Sequence, residues 1–231
     1  MSEHASDGTR LNAALRGFFG VPFRAQTYRN LAYLALAFPL GLAYFVGVTT
    51  GLSTGVGMAV TLVGVPLILI TLVVAAGIGN VESKLATWLL GTEVTPPAVL
   101  DRLAEEDLGT TDGLVGAATE LLTAPSTWLS LVLVGVKFLF GVLAFSALVT
   151  AGSVVVALLS MPAFYDVAGV TYSLGPYPVE TFDRAVVGGA LGVIGVFIGL
   201  HLLNGLARLG GFLTAALLGT PDGDAWGGDD A

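Results

Sequence analysis

The feature that most constrains this fold is a run, residues 30–81, that contains no Asp, Glu, Lys or Arg. One helix needs about 20 apolar residues to cross the hydrocarbon core of a bilayer. These 52 residues therefore hold two membrane spans and a turn. The turn is predicted at the small and polar residues 49–55, which places the first span near 31–49 and the second near 56–78.

Two further apolar blocks follow. Residues 126–161 are interrupted only by Lys137, and residues 185–207 carry no charge. Both blocks are continuously apolar and do not alternate as the strands of a membrane barrel do, so helices are predicted. The chain has only 11% charged residues, whereas a water-soluble domain has about 25%. The sequence thus predicts an all-α integral membrane protein with four transmembrane helices.

Basic residues set the predicted orientation and the domain boundaries. The positive-inside rule places both termini and the 80–125 loop in the cytoplasm, with the four spans crossing the cell membrane. We predict a cytoplasmic N-terminal segment (1–26), a membrane domain (27–220) and an acidic disordered tail (221–231). The basic residues that flank the predicted inner ends of the spans are Arg10, Arg16, Arg24, Arg29, Lys84, Arg102 and Arg208.

The chain contains an internal repeat, with repeat one over 27–92 and repeat two over 127–220. Each copy is predicted to be a hairpin of two spans followed by a short cytoplasmic amphipathic helix. Because both hairpins start on the same side, the two copies are predicted to be parallel, related by an axis along the membrane normal. The matched positions include Thr27 with Thr127, Phe38 with Phe138, Gly41 with Gly141, Phe45 with Phe145, and Leu89-Leu90-Gly91-Thr92 with Leu217-Leu218-Gly219-Thr220.

The composition also bounds the chemistry. Acidic residues outnumber basic ones 17 to 9, which favours a protein of a high-salt cytoplasm over an ordinary acidic linker. The chain has no cysteine and two histidines, so neither a thiolate nor a histidine metal centre is expected. A Ser/His/Asp set and a phosphate-binding loop are also lacking. We therefore expect no enzyme activity, no cofactor and no nucleic-acid partner.

One candidate site is intramembrane and polar, and it comprises Lys137, His201 and Asn204. A charge at the bilayer centre costs about 2.5–3.5 kcal/mol on insertion scales, so an intramembrane lysine indicates function. Alternatively, Lys137 extends back to the cytoplasmic headgroups and His201 is a solvated interfacial residue.

A second candidate site is the outer loop, residues 162–183, where aromatic rings and carboxylates could bind a cationic or amphipathic molecule. The alternative is an aromatic belt at the membrane surface. Four glycines of the last span share one helical face, which fits packing within the four-helix unit or a homo-oligomer contact. The candidate loop residues are Tyr165, Asp166, Tyr172, Tyr177 and Glu180, and the glycines are Gly188, Gly192, Gly195 and Gly199.

Six segments carry a resemblance to a known family: Thr27–Tyr33, Phe38–Gly41, Thr61–Pro66, Val179–Ala185, Gly205–Leu209 and Ala215–Gly219. Together they resemble the putative sensor domain family, a multi-pass membrane domain of haloarchaea and actinobacteria that is found in some histidine kinases. The resemblance covers about residues 15–220 and implies signal transduction. No output domain follows residue 220, so we expect a stand-alone sensory or regulatory module with a membrane or cytoplasmic signalling partner. The alternatives are a small transporter or channel component, or a structural subunit of a membrane complex.

Overall fold

The computed structural model describes residues 18–97, 99–105 and 110–219, except the side chain of Thr111. Four long helices form the body: α1 (Ala25–Gly57), α2 (Gly64–Leu85), α5 (Pro125–Phe164) and α6 (Phe182–Leu218). A single π turn, Ala86–Leu90, extends α2, and the short helices α3 (Val99–Glu105) and α4 (Thr111–Thr123) precede α5. The strands β1 (Ser173–Leu174) and β2 (Tyr177–Pro178) pair in antiparallel fashion between α5 and α6. Turns of 3₁₀ helix cover Val21–Phe23 and Ala59–Thr61.

The predicted set of four spans is confirmed in number. Among the described residues, α1, α2 with its π turn, α5 and α6 are long and apolar enough to cross a membrane. Helices α2 and α6 are longer than predicted, because the segments expected as separate amphipathic helices continue them without a break. The predicted acidic tail, 221–231, and most of the N-terminal segment lie outside the described residues.

The predicted turn at residues 49–55 is wrong. Helix α1 continues to Gly57, and the chain reverses over residues 58–63, where Leu62 has a φ of 61°. Gly51 and Gly55 are helical, and a Cβ on Gly55 would stand 2.6 Å from Ile68 Cγ1 of α2. Small residues that favour turns in a soluble chain allow close helix packing in an apolar one, and that is their role here.

The glycine face of α6 packs against α5. A Cβ on Gly192 would stand 2.9 Å from the backbone nitrogen of Leu159, and one on Gly199 would stand 3.8 Å from Ala151 Cβ. These contacts confirm the interpretation that this face packs within the four-helix unit. The hairpins α1–α2 and α5–α6 are therefore both held by glycine contacts.

Helices α1 and α5 make the largest part of the interface between the two hairpins. Phe38 stacks on Phe145 with ring centroids 5.2 Å apart, and Phe45 stacks on Phe138 at 4.6 Å. The earlier α1 residue, Phe38, meets the later α5 residue, and the later one, Phe45, meets the earlier, so the two helices run in opposite directions through this contact. The contacts do not support the predicted parallel relation, which would pair residues at a constant numerical difference. A sequence match identifies equivalent residues but does not fix the axis that relates them.

The same interface contains a pair of equivalent glycine contacts. A Cβ on Gly41 would stand 2.6 Å from the carbonyl oxygen of Lys137, and one on Gly141 would collide with the carbonyl oxygen of Ala37. Gly41 and Gly141 are 100 positions apart, and so are their partners Ala37 and Lys137, so each contact is the repeat equivalent of the other. The predicted repeat therefore has a counterpart in packing, and the two backbones approach closely because neither glycine has a side chain.

The predicted 80–125 loop is largely helical. Val99 of α3 and Leu121 of α4 pack against Leu72 of α2 in one buried cluster. Arg102 and Glu120 form an ion pair at 2.8 Å that joins α3 to α4. The connection between the two hairpins is thus a packed layer on α2, because its apolar residues recur at helical spacing.

Candidate functional site

A buried ion pair lies where the two hairpins meet. Lys137 Nζ of α5 is 2.5 Å from Glu82 Oε2 of α2. The same nitrogen donates a hydrogen bond of 2.7 Å to Tyr33 Oη of α1 and lies 5.0 Å from the centroid of that ring. Each of the three residues is only 3% exposed. The predicted intramembrane Lys137 is therefore held inside the protein and does not extend to the headgroups.

Local packing explains why these three side chains converge. Gly41 brings α1 against the backbone of α5 at Lys137, and Phe140 packs beside Tyr33 with ring centroids 6.3 Å apart. Removing two charges from water costs several kcal/mol per ion, which the pair offsets only through mutual attraction and hydrogen bonding. The pair therefore connects three helices and both hairpins, and it depends on their present packing.

His201 and Asn204 belong to a different polar cluster. Asn204 Oδ1 accepts a hydrogen bond of 2.7 Å from Asn30 Nδ2, and Asn204 Nδ2 donates to Thr27 Oγ1 at 3.2 Å. Gln26 Nε2 donates to Asn30 Oδ1 and to the carbonyl of Leu89, both at 2.8 Å. This amide network ties the start of α1 to α6 and to the π turn after α2.

A cavity of about 200 Å³ opens beside the amide network. The imidazole of His201 stacks on Phe18 with centroids 4.5 Å apart, and its Nδ1 lies 2.7 Å from the carbonyl oxygen of Phe197. We assign the ring proton to Nδ1, which donates it to that carbonyl, so Nε2 of the neutral ring is a hydrogen-bond acceptor. The cavity is lined by Val21, Arg24, Gln26, Thr27, Asn30, His201, Asn204, Gly205 and Arg208.

The single polar site predicted from sequence is thus two sites. Lys137 pairs with Glu82 and Tyr33, whereas His201 and Asn204 line the cavity. Sequence reasoning missed Glu82, although a buried lysine requires a counter-charge and Glu82 is the acid that ends the uncharged run. Neither site contains a group of three metal-ligating side chains, and none is found elsewhere in the described residues.

The amide network gives a testable stability effect. Asn204→Leu is expected to lower the free energy of unfolding by about 1–3 kcal/mol, because the Asn30 amide, which is buried, loses its partner. Thermal unfolding in detergent micelles, followed by circular dichroism, measures the change. Leu202→Ala, at an exposed position of the same helix, is the control and should shift stability by less than about 0.5 kcal/mol. Equal effects of the two variants would contradict the role of the network.

The predicted loop site is dispersed. Tyr172 Oη lies 3.0 Å from Ser160 Oγ, and Tyr165 packs on Phe182 with centroids 5.9 Å apart, so both tyrosines hold the loop against the hairpin end. Tyr177 lines a groove of about 430 Å³. The remaining two candidate residues, Asp166 and Glu180, are exposed.

Comparison with known proteins supplies the family information. A family model described as "Putative sensor" matches residues 33–218. The match runs from Tyr33 within α1 to the end of α6, so it takes in part of α1 and all of the other three long helices, and it includes both polar clusters apart from Gln26, Thr27 and Asn30. No curated protein and no solved structure matches the chain.

Proposed function

This chain belongs to the Putative sensor family, and from that membership we propose that it is a stand-alone membrane sensory or regulatory module that signals through a separate protein. The family match is the observation that carries the proposal. A sensor needs at least two packing arrangements whose balance a stimulus can shift. The interface of α1 with α5 is the element we propose to shift, because the Glu82–Lys137 pair and the two glycine contacts all depend on it.

The orientation belongs to the same proposal. We propose that the four long helices lie in the cell membrane, with α3 and α4 in the cytoplasm. The prediction that both termini are cytoplasmic does not fit the opposite directions of α1 and α5, so it is not part of this proposal. Support comes from the basic residues Arg24 at the start of α1, Lys84 near the end of α2 and Arg102 on α3, which lie on one predicted side. The packed layer of α3 and α4 on α2 is then the surface that a cytoplasmic partner would contact.

Site-specific crosslinking in native membranes tests this proposal, and the natural lack of cysteine makes it simple. Val115→Cys on α4 is labelled with a photoreactive maleimide, and captured proteins are identified by mass spectrometry. Val156→Cys on α5 is the matched control, since both valines are highly exposed (64% and 66%) but only α4 lies in the packed layer.

The result expected is capture of a kinase, transducer or transcriptional regulator through residue 115 and not through residue 156. Recovery of only transporter or assembly-complex subunits would overturn the sensory proposal. It would favour the alternative of a transporter or channel component, or of a structural subunit.

A further inference from the structure

We infer that the cavity between the start of α1 and α6 binds an anionic phosphate group, supplied by an acidic lipid headgroup or by free phosphate. The arginines Arg24 and Arg208 line this cavity, and no ion pair within the described part of the chain involves either of them. No acidic side chain is among the lining residues. The cavity therefore collects positive charge without a counter-ion from the described chain.

The start of α1 adds to this positive potential. The first amide groups of a helix lack intrahelical partners and carry a partial positive charge. At α1 no side chain caps these groups and no acidic residue occupies the first turn. By contrast, Thr110 caps α4 and Asp183 lies in the first turn of α6. The uncapped end coincides with the cavity, because Arg24 is both the N-cap residue and a lining residue.

Neutral donors and the size of the cavity define the ligand further. Asn30 and Asn204 each use only one of their two amide hydrogens within the amide network, whereas both amide hydrogens of Gln26 are taken, so the two asparagines supply the neutral donors of this wall. Arginine guanidinium groups bind phosphate through paired hydrogen bonds. The volume of about 200 Å³ is below the range of about 300–1,000 Å³ typical of drug-sized ligands, so it suits a headgroup.

Exposed aromatic residues place a bilayer surface close to this cavity. Phe23, directly before Arg24, is 88% exposed, and Phe19 is 54% exposed. Large apolar rings exposed beside arginines are typical of the membrane interface, where basic pockets between helices bind phosphate headgroups. The arrangement therefore favours a lipid as the source of the phosphate, and the experiment separates the two sources.

Native mass spectrometry of the detergent-purified chain tests the inference. The probes are phosphatidylglycerol, phosphatidylcholine with the same acyl chains, and inorganic phosphate. We expect phosphatidylglycerol to be retained in preference to phosphatidylcholine, and Arg24→Gln/Arg208→Gln to weaken that retention at least about tenfold. Arg29→Gln is the matched control, because it removes a positive charge from the same helix outside the cavity. It should change retention less than about twofold.

A cavity-filling variant keeps the test independent of net charge. Gly205 lines the cavity, and a Cβ there would meet no atom within 4 Å, so Gly205→Leu should fold and still exclude the phosphate. Competition by millimolar inorganic phosphate would identify free phosphate as a ligand, whereas retention of phosphatidylglycerol despite it would identify the lipid. Wild-type retention by both Gly205→Leu and the double arginine variant would overturn the inference.

Discussion

Lys137→Met is expected to lower the free energy of unfolding by about 3–5 kcal/mol, because it leaves Glu82 buried without a counter-charge. Methionine approximates the length and volume of lysine, so the variant removes the charge with little change in packing. Denaturant titration in mixed micelles, followed by circular dichroism, measures the loss. Lys84→Met is the matched control, since Lys84 is exposed near the end of α2, and it should change stability by less than about 0.5 kcal/mol.

A double variant separates the loss of the pair from the cost of the orphaned charge. Glu82→Leu combined with Lys137→Met replaces both charged groups by apolar ones of similar size. Its stability is expected to recover most of the loss, because an apolar replacement of a buried ion pair is often neutral or stabilising. A double variant as unstable as the sum of the two single variants would show that the two groups do not interact.

Gly41→Ala and Gly141→Ala are expected to lower the free energy of unfolding by about 1–3 kcal/mol each. A Cβ on Gly41 would stand 2.6 Å from the Lys137 carbonyl oxygen, and one on Gly141 would collide with the Ala37 carbonyl oxygen. These obstacles are backbone atoms, so the helices α1 and α5 must separate to admit the new methyl group. The same unfolding measurement applies.

Two other glycines of these helices provide controls of opposite sign. A Cβ added to Gly47 of α1 or to Gly135 of α5 would meet no atom within 4 Å. Alanine at either place should be neutral or should stabilise the helix by up to about 1 kcal/mol, because alanine has the higher helix propensity. Destabilisation by all four substitutions alike would contradict a specific role for the α1–α5 contact.

The four spans were predictable from the sequence, whereas their ends were not. An uninterrupted apolar segment of about 20 residues strongly indicates a transmembrane helix, because it is long enough to cross the hydrocarbon core and has no charged group to hold it in water. The boundary at residues 49–55 failed because glycine and threonine carry two meanings, turn formation in water and close packing in an apolar helix. Only the neighbouring helix decides between them, and here Thr71 and Ile68 lie against Gly51 and Gly55.

The candidate sites show the same division. Lys137 was identifiable because a charge interrupts an apolar run, and its pairing with Glu82 required the relative position of two helices. Neutral amides give a weaker signal. Asn30 and Asn204 are 174 positions apart, and their hydrogen bond depends on the angle at which α1 meets α6. No periodicity within one segment carries that information.

The neutrality of the Glu82–Lys137 pair has an electrical consequence. A transmembrane potential of 100 mV does about 2.3 kcal/mol of work on each elementary charge that crosses the membrane. One positive and one negative group that move together transfer no net charge, so the membrane voltage does almost no work on the intact pair. A rearrangement of the hairpins that keeps Glu82 beside Lys137 is therefore nearly independent of voltage, and one that separates them along the membrane normal is not.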